Sequence, residues 1–237
     1  MRSSYCSSTL CLTSFLAFSI TASAQWQKKP YSEWSEKEVL NVLDSSPWGQ
    51  TQTVTDTTNM VDTGRRLDSG QSRVAEVPQT KFHIRFFSAK PIRQATSRFI
   101  ELRQKGSLNQ QLAGQLKALA AADFPDYIVI TVVADVADSK SQMGAAATLL
   151  DRQTTAQLKS GTYLSVSGGQ RVFLEEYQTP RKDGLGARFI FLRIQDGKPF
   201  VNVESGEILF HSDLNGGPTL SQRFKIKDMI FEGKLEY

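Results

Sequence analysis

From residue 163 onward, short runs of alternating apolar residues are divided by glycine-bearing turns, a pattern that confines the last third of the chain to antiparallel strands. The runs are Tyr163 to Val166, Arg171 to Tyr177, Ala187 to Ile194, Phe200 to Val203, Ile208 to His211 and Arg223 to Phe231. Gly168-Gly169, Asp183-Gly184, Asp196-Gly197, Ser205-Gly206 and Asn215-Gly216-Gly217 lie between them, and such sequences supply the turn conformations that hairpins need. Strands at this spacing predict a β-meander. In the last run Phe224 and Ile226 share one face, whereas Met229 and Phe231 have the opposite parity. If only one face is covered, a bulge near Lys227-Asp228 has to restore the phase.

Upstream, the period changes. Residues 32 to 46 predict an amphipathic helix, with Ser35 and Glu38 at capping-box spacing and Trp34, Val39, Leu40, Val42 and Leu43 as its apolar stripe. Pro47 stops it, and Gln50 to Asp56 reads as an edge strand. Residues 57 to 80 are polar and without period, as in a loop or linker. A second unit, residues 81 to 237, opens with the alternating strand Lys81 to Phe86. Two helices follow, one starting at Pro91 and one running from a Ser107 cap to Ala122. Tyr127 to Ala134 is a β-branched run suited to a central strand covered on both faces, and Ser141 to Lys159 favours helix. The expected fold class is therefore α+β: an N-terminal helix, helical segments packed on a mainly antiparallel sheet, and a C-terminal β-meander.

The first 24 residues follow a different logic. Arg2 precedes the uncharged stretch Leu10 to Ile20, and Ala22-Ser23-Ala24 offers small residues for a signal peptidase, so residues 1 to 24 read as a signal peptide cleaved before Gln25. The apolar stretch is short for a membrane span, which takes about 20 residues. Ser8, Thr9 and Leu10 lack the small residue expected ahead of a lipid-bearing Cys11. Cleavage would remove both cysteines, Cys6 and Cys11. The mature chain is then free of disulfides, cysteine nucleophiles and Cys-rich zinc sites. Its 27 basic and 24 acidic side chains leave a net charge of +3, too weak to imply nucleic acid.

Lys29-Pro30-Tyr31-Ser32-Glu33-Trp34-Ser35-Glu36-Lys37-Glu38-Val39, continuing to Ser46-Pro47-Trp48-Gly49, resembles the start of exported bacterial proteins of unassigned function. The ending Phe224-Lys225-Ile226-Lys227-Asp228-Met229, with Gly233-Lys234-Leu235, is similar to their C termini. The resemblance implies export from a bacterium, to the periplasm or beyond. It carries over no catalytic residue, cofactor or substrate.

The strongest local charge bias runs from Lys81 to Lys105, where Lys81, Arg85, Lys90, Arg93, Arg98, Arg103 and Lys105 oppose only Glu101. Presented together, these cations would attract an anionic surface, and Arg85, Arg93, Arg98 and Arg103 are the candidate binding residues. Only His83 and His211 could serve a zinc site or a Ser-His-carboxylate site, and no paired-ligand spacing or G-x-S-x-G elbow accompanies them. Glu175 and Glu176 would point to opposite faces of a strand. Asp135 and Asp138 follow the central strand, where strand termination and helix capping compete with a ligand role. Trp26, Trp34 and Trp48 either anchor the N-terminal helix or form a docking surface. The functional expectation is a non-enzymatic binding or structural protein of the bacterial envelope, meeting an anionic envelope component or a protein partner. An extracytoplasmic hydrolase assembled around His83 or His211 is the alternative. No cofactor, metal or nucleic acid is expected.

Overall fold

Ser35 begins the helical part of the chain by closing a capping box: its hydroxyl accepts from the Glu38 amide, and the Glu38 carboxylate accepts from the Ser35 amide. The computed structural model describes residues 25 to 55, 79 to 104, 106 to 136 and 140 to 237. The signal peptide read over residues 1 to 24 and nearly all of the linker read over residues 57 to 80 lie outside them.

Helix α1 spans Glu36–Asp44 and buries Val39, Val42 and Leu43. It is shorter than the expected helix because residues Tyr31–Glu33 form a separate 3-10 turn ahead of the Ser35 cap. Its exit is equally defined. The Ser46 hydroxyl donates to the Val42 carbonyl and accepts from the amides of Trp48 and Gly49, folding the short strand β1 (Ser45–Ser46) back onto β2 (Gly49–Thr55).

Strand β3 (Gln79–Phe86) starts two residues earlier than the alternation suggested, since Gln79 and Thr80 also pair with β2. After it come α2 (Lys90–Arg103), with Pro91 in its first turn, and α3 (Gln110–Ala121). The α3 cap is Asn109, not Ser107: the Asn109 side chain takes the Leu112 amide at 2.8 Å, whereas the Ser107 hydroxyl turns back to Gln104. Strand β4 (Tyr127–Val136) is central and is followed by α4 (Lys140–Asp151) and α5 (Thr155–Leu158). A single helix over this stretch was expected. Thr154 interrupts it, because its own capping box with Gln157 starts a new helix there.

The remaining strands are β5 (Thr162–Val166), β6 (Arg171–Phe173), β7 (Glu176–Gln178), β8 (Ala187–Leu192), β9 (Ile194–Gln195), β10 (Lys198–Pro199), β11 (Glu207–Asp213), β12 (Thr219–Lys225), β13 (Ile230–Phe231) and β14 (Lys234–Leu235). They are antiparallel but divided among sheets. One six-stranded sheet has the order β1-β2-β3-β4-β8-β7, a four-stranded sheet has the order β12-β11-β5-β6, and β9-β10 and β13-β14 are separate hairpins. The chain therefore changes sheet between β6 and β7, breaking the expected run Arg171 to Tyr177 in two. The expected strand Phe200 to Val203 is also absent, and Phe200 and Val201 are instead buried in a loop.

The core lies between the two larger sheets. Phe82, Ile84 and Phe86 of β3 stand on the same face as Ile128, Ile130 and Val132 of β4 and Ala187, Phe189 and Phe191 of β8. Phe210 of β11 and Phe224 of β12 meet them from the other sheet, with ring centroids 4.8 Å apart for Phe86 and Phe224 and 5.4 Å for Phe189 and Phe210. Such perpendicular aromatic pairs add about 0.5–1.5 kcal/mol each beyond area burial. In the last run, Phe224, Ile226, Met229 and Phe231 are all buried, and the phase change is made by a 3-10 turn over Ile226–Asp228 at the place where a bulge was expected.

Gln52 joins the sheets at one side. Its side-chain nitrogen donates to the Thr219 carbonyl at 3.0 Å and its oxygen accepts from the Ser221 amide at 2.8 Å, so one amide stands in for a neighbouring strand along the edge of β12. Gln52→Ala should cost about 1–2 kcal/mol, read as a lower urea midpoint with unchanged slope.

Candidate functional site

The four candidate arginines do not form one face. Arg85 donates through Nε to the Leu43 carbonyl and through a terminal nitrogen to Asp44 at 2.7 Å. Arg93 is only 3 % exposed; it donates to the Ser88 carbonyl and lies 5.3 Å from the Phe124 ring centre. Burial pulls its guanidinium below the ordinary arginine value, although the charges of Glu236 and Asp123 oppose that pull. Arg98 donates to the Trp34 carbonyl and to Glu101, and Arg103 reaches Glu36 at 3.5 Å while covering the Phe99 ring. Lys90 of the same segment pairs with Glu232. The positive excess of this stretch is thus met by Asp44, Glu36 and Glu232, which come from distant parts of the sequence.

Of the residues at the end of the central strand, Asp135 stands exposed opposite Lys81, and Asp138 lies outside the described residues. The three tryptophans anchor rather than dock. Trp26, Trp34 and Trp48 are at most 5 % exposed, with Trp34 Nε1 donating to the Trp26 carbonyl and Trp48 Nε1 to the Glu236 carbonyl.

His83 is the better-organised histidine. Its Nδ1 lies 2.9 Å from an Asp44 carboxylate oxygen and 3.0 Å from the Thr51 hydroxyl, and these two partners edge a shallow cleft with Ser45, Ser46 and Gln50. A hydrolytic relay needs the carboxylate and the nucleophile on opposite ring nitrogens. Here both oxygens share Nδ1, and among the described residues no hydroxyl is bonded to Nε2. The arrangement instead fixes the end of α1 to β3. Burial pushes the Asp44 carboxyl up, but the His83 hydrogen bond and the adjacent Arg85 guanidinium outweigh it and hold the group below the usual carboxylate value. A carboxyl depressed in the folded state stabilises above its unfolded value of about 3.9, and the benefit disappears as pH falls through the folded value. Asp44→Asn should therefore cost about 1–3 kcal/mol at neutral pH and progressively less in acid, with urea midpoints at the two pH values as the measurement.

His211 lies on the outer face of the four-stranded sheet, where its ring stacks on Tyr163 at 4.8 Å and its Nε2 meets Asp213 at 3.3 Å. The Asp213 carboxyl is held below its usual value chiefly by the Thr219 hydroxyl, 2.6 Å away, and by His211, against the opposing effect of desolvation. Strand register sets Phe173, Tyr163, His211 and Ser221 in one row and Arg171, Ser165, Leu209 and Arg223 in the next. Their neighbours of opposite parity fill the core, so this face turns to solvent. Phe173 is 48 % exposed, and the Arg171 guanidinium lies 4.5 Å from the Tyr163 ring centre. A sequence search for charge runs misses this row, because its aromatic and cationic members come from strands far apart in the chain. The alternating parity of Tyr163, Phe173 and His211 was the available signal.

A cleft of about 550 Å³ opens where the turn before β6, the β9-β10 hairpin and the loop from Phe200 to Ser205 meet. Gln170, Gln195, Asp196, Lys198, Asn202 and Ser205 line it, above Pro199, Phe200 and Val201. Among the described residues, no group of three or more His, Cys, Asp or Glu side chains is placed to hold a metal ion, and no helix is long and apolar enough to cross a membrane.

Fold and surface together define an α+β protein with stacked antiparallel sheets and an open aromatic and cationic sheet face. No family model, curated protein or solved structure matches the chain.

Proposed function

We propose that the chain is exported by its first 24 residues and acts in the periplasm or outside the cell as a non-enzymatic binding protein of the bacterial envelope. The contact surface in this proposal is the outer face of the β12-β11-β5-β6 sheet. One observation carries it: Phe173 remains nearly half exposed on a face that also bears Tyr163, Arg171 and Arg223, while the cations of residues 81 to 104 are largely engaged internally. Arg171, Arg223 and Lys225 outnumber Glu207 and Asp213 there, which favours an anionic envelope component. Among the described residues neither His83 nor His211 holds a carboxylate on one ring nitrogen and a hydroxyl on the other, and this supports binding over hydrolysis.

Cell fractionation with N-terminal sequencing should find the chain outside the cytoplasm, starting at Gln25. Envelope extract should retain it at low salt, and retention should fall about tenfold in the double variant Arg171→Gln, Phe173→Ser. Equal retention of variant and wild type would rule out this face.

A further inference from the structure

We infer that the cleft between the β9-β10 hairpin and the Phe200–Ser205 loop is a binding site for an uncharged saccharide. The site is distinct from the sheet face proposed above. It joins a fixed pair, Asn202 and Ser205, to side chains that make no bonds within the described protein. At the hairpin turn, Asp196 and Gly197 both have positive φ, 51° and 75°, as a type I′ turn requires. Gln195 and Lys198 are partners across that turn, and their side chains therefore share one side of the hairpin.

Asn202 is held more tightly. Its side-chain oxygen accepts from the Glu204 amide at 2.9 Å and from the Ser205 hydroxyl at 3.1 Å, which leaves the NH2 group as its free hydrogen-bonding end. The Ser205 hydroxyl in turn accepts from the Asn202 amide. The floor is equally fixed, because the Phe200 amide donates to the Arg193 carbonyl and the Val201 carbonyl accepts from the buried Tyr237 hydroxyl. Gln170, Gln195, Asp196 and Lys198 have no side-chain hydrogen bond or ion pair to another described residue. A ligand entering here meets one oriented donor, the Asn202 NH2, and four polar side chains that can turn to it without first breaking internal bonds.

The lining selects the ligand class. Asp196 and Lys198 are the only charged groups and cancel, so the cleft has no net attraction for an anion or a cation. A single carboxylate is too few for a metal ion, which takes several oxygen or nitrogen ligands. Polar side chains of Gln170, Gln195, Asp196, Lys198, Asn202 and Ser205 border the apolar Pro199, Phe200 and Val201, a mixture that suits an amphipathic ligand better than a lipid chain. What remains is the carboxamides of Gln170 and Gln195, each offering a donor and an acceptor close together, and the donor NH2 of Asn202, beside one carboxylate, one ammonium, one hydroxyl and the aliphatic ring of exposed Pro199. Vicinal hydroxyls present the matching alternation of donor and acceptor, and the C–H face of a sugar ring suits the proline. The volume falls within the range of about 300–1,000 Å³ usual for small-ligand sites.

The test uses nitrogen-labelled full chain titrated with chitobiose, cellobiose and maltose, with an alanine tripeptide and sodium glucuronate as comparators. At least one disaccharide should produce saturable shifts in the side-chain amide signals of Gln170, Gln195 and Asn202 at millimolar concentration. The double variant Gln195→Ala, Asn202→Ala should weaken that binding about tenfold or more, while an unchanged backbone amide signal of Tyr237, whose hydroxyl holds the Val201 carbonyl, reports an intact floor. Absence of saturable shifts with all three sugars would overturn the proposal. So would shifts that map away from the cleft, or a tripeptide or glucuronate that binds there as well as any sugar. Export and envelope retention are read by separate experiments, so failure of one assignment leaves the other open to measurement.

Discussion

Trp48→Ala should remove about 4 kcal/mol of stability, a large part of the 5–15 kcal/mol typical of a folded domain. Trp48 is fully buried at the turn between β1 and β2. Its ring meets Trp26 and Phe231 at 6.3 and 6.1 Å, its carbonyl accepts from the Phe86 amide, and its Nε1 holds the Glu236 carbonyl at 2.9 Å. The residue thereby ties the start of the described chain, the large sheet and the C-terminal hairpin at one point. Alanine leaves a cavity and also an unpaired carbonyl, and both costs act on the same contact. Trp48→Phe separates them, since it keeps most of the apolar volume and loses only the indole donor, for an expected loss of about 1–2 kcal/mol. Urea unfolding of the two variants provides the measurement. A Trp48→Ala midpoint close to that of wild type would mean that this cluster does not hold the two ends of the described fold together.

The helix ahead of Trp48 shows what could be read in advance. Trp34, Ser35, Glu38 and Val39 carry a local code, because a cap and an apolar stripe involve residues within one or two helical turns, and α1 follows it. Strands β3, β4 and β5 were legible for the same reason, as alternation or β-branched composition is a property of the strand itself. Sheet membership is not local. Nothing within Arg171 to Tyr177 states that Val172 packs in one sheet and Tyr177 in another, and only the pairing of β6 with β5 and of β7 with β8 decides it. The candidate binding residues failed to converge by the same logic. A run of cations from Lys81 to Lys105 looks unbalanced along the chain, whereas Asp44 and Glu232 balance it in space. Conversely, the open row of Phe173, Tyr163 and His211 exists only once β6, β5 and β11 are aligned.

Gly186→Ala should cost about 3–5 kcal/mol, whereas Gly184→Ala two residues away should cost about 1–2 kcal/mol. Both glycines have positive φ, 78° and 74°, so each substitution carries the strain of placing an L side chain in the left-handed region. They differ in what surrounds them. A Cβ on Gly184 would meet nothing within 4 Å, but one on Gly186 would sit 2.3 Å from the Val132 carbonyl oxygen and 2.7 Å from a Val133 methyl. The obstacle is main chain and cannot rotate away. Val132 belongs to β4, the strand held between β3 and β8, and its register partner on β8 is Ala187, immediately after the glycine. Moving Gly186 outward therefore opens the β4-β8 ladder where it begins. Thermal or urea unfolding of the two single variants isolates the contact from the conformational strain, because the strain is common to both. Equal losses would show that the loop does not pack against β4, and the edge of the sandwich core beside Ala187 would then need a different support.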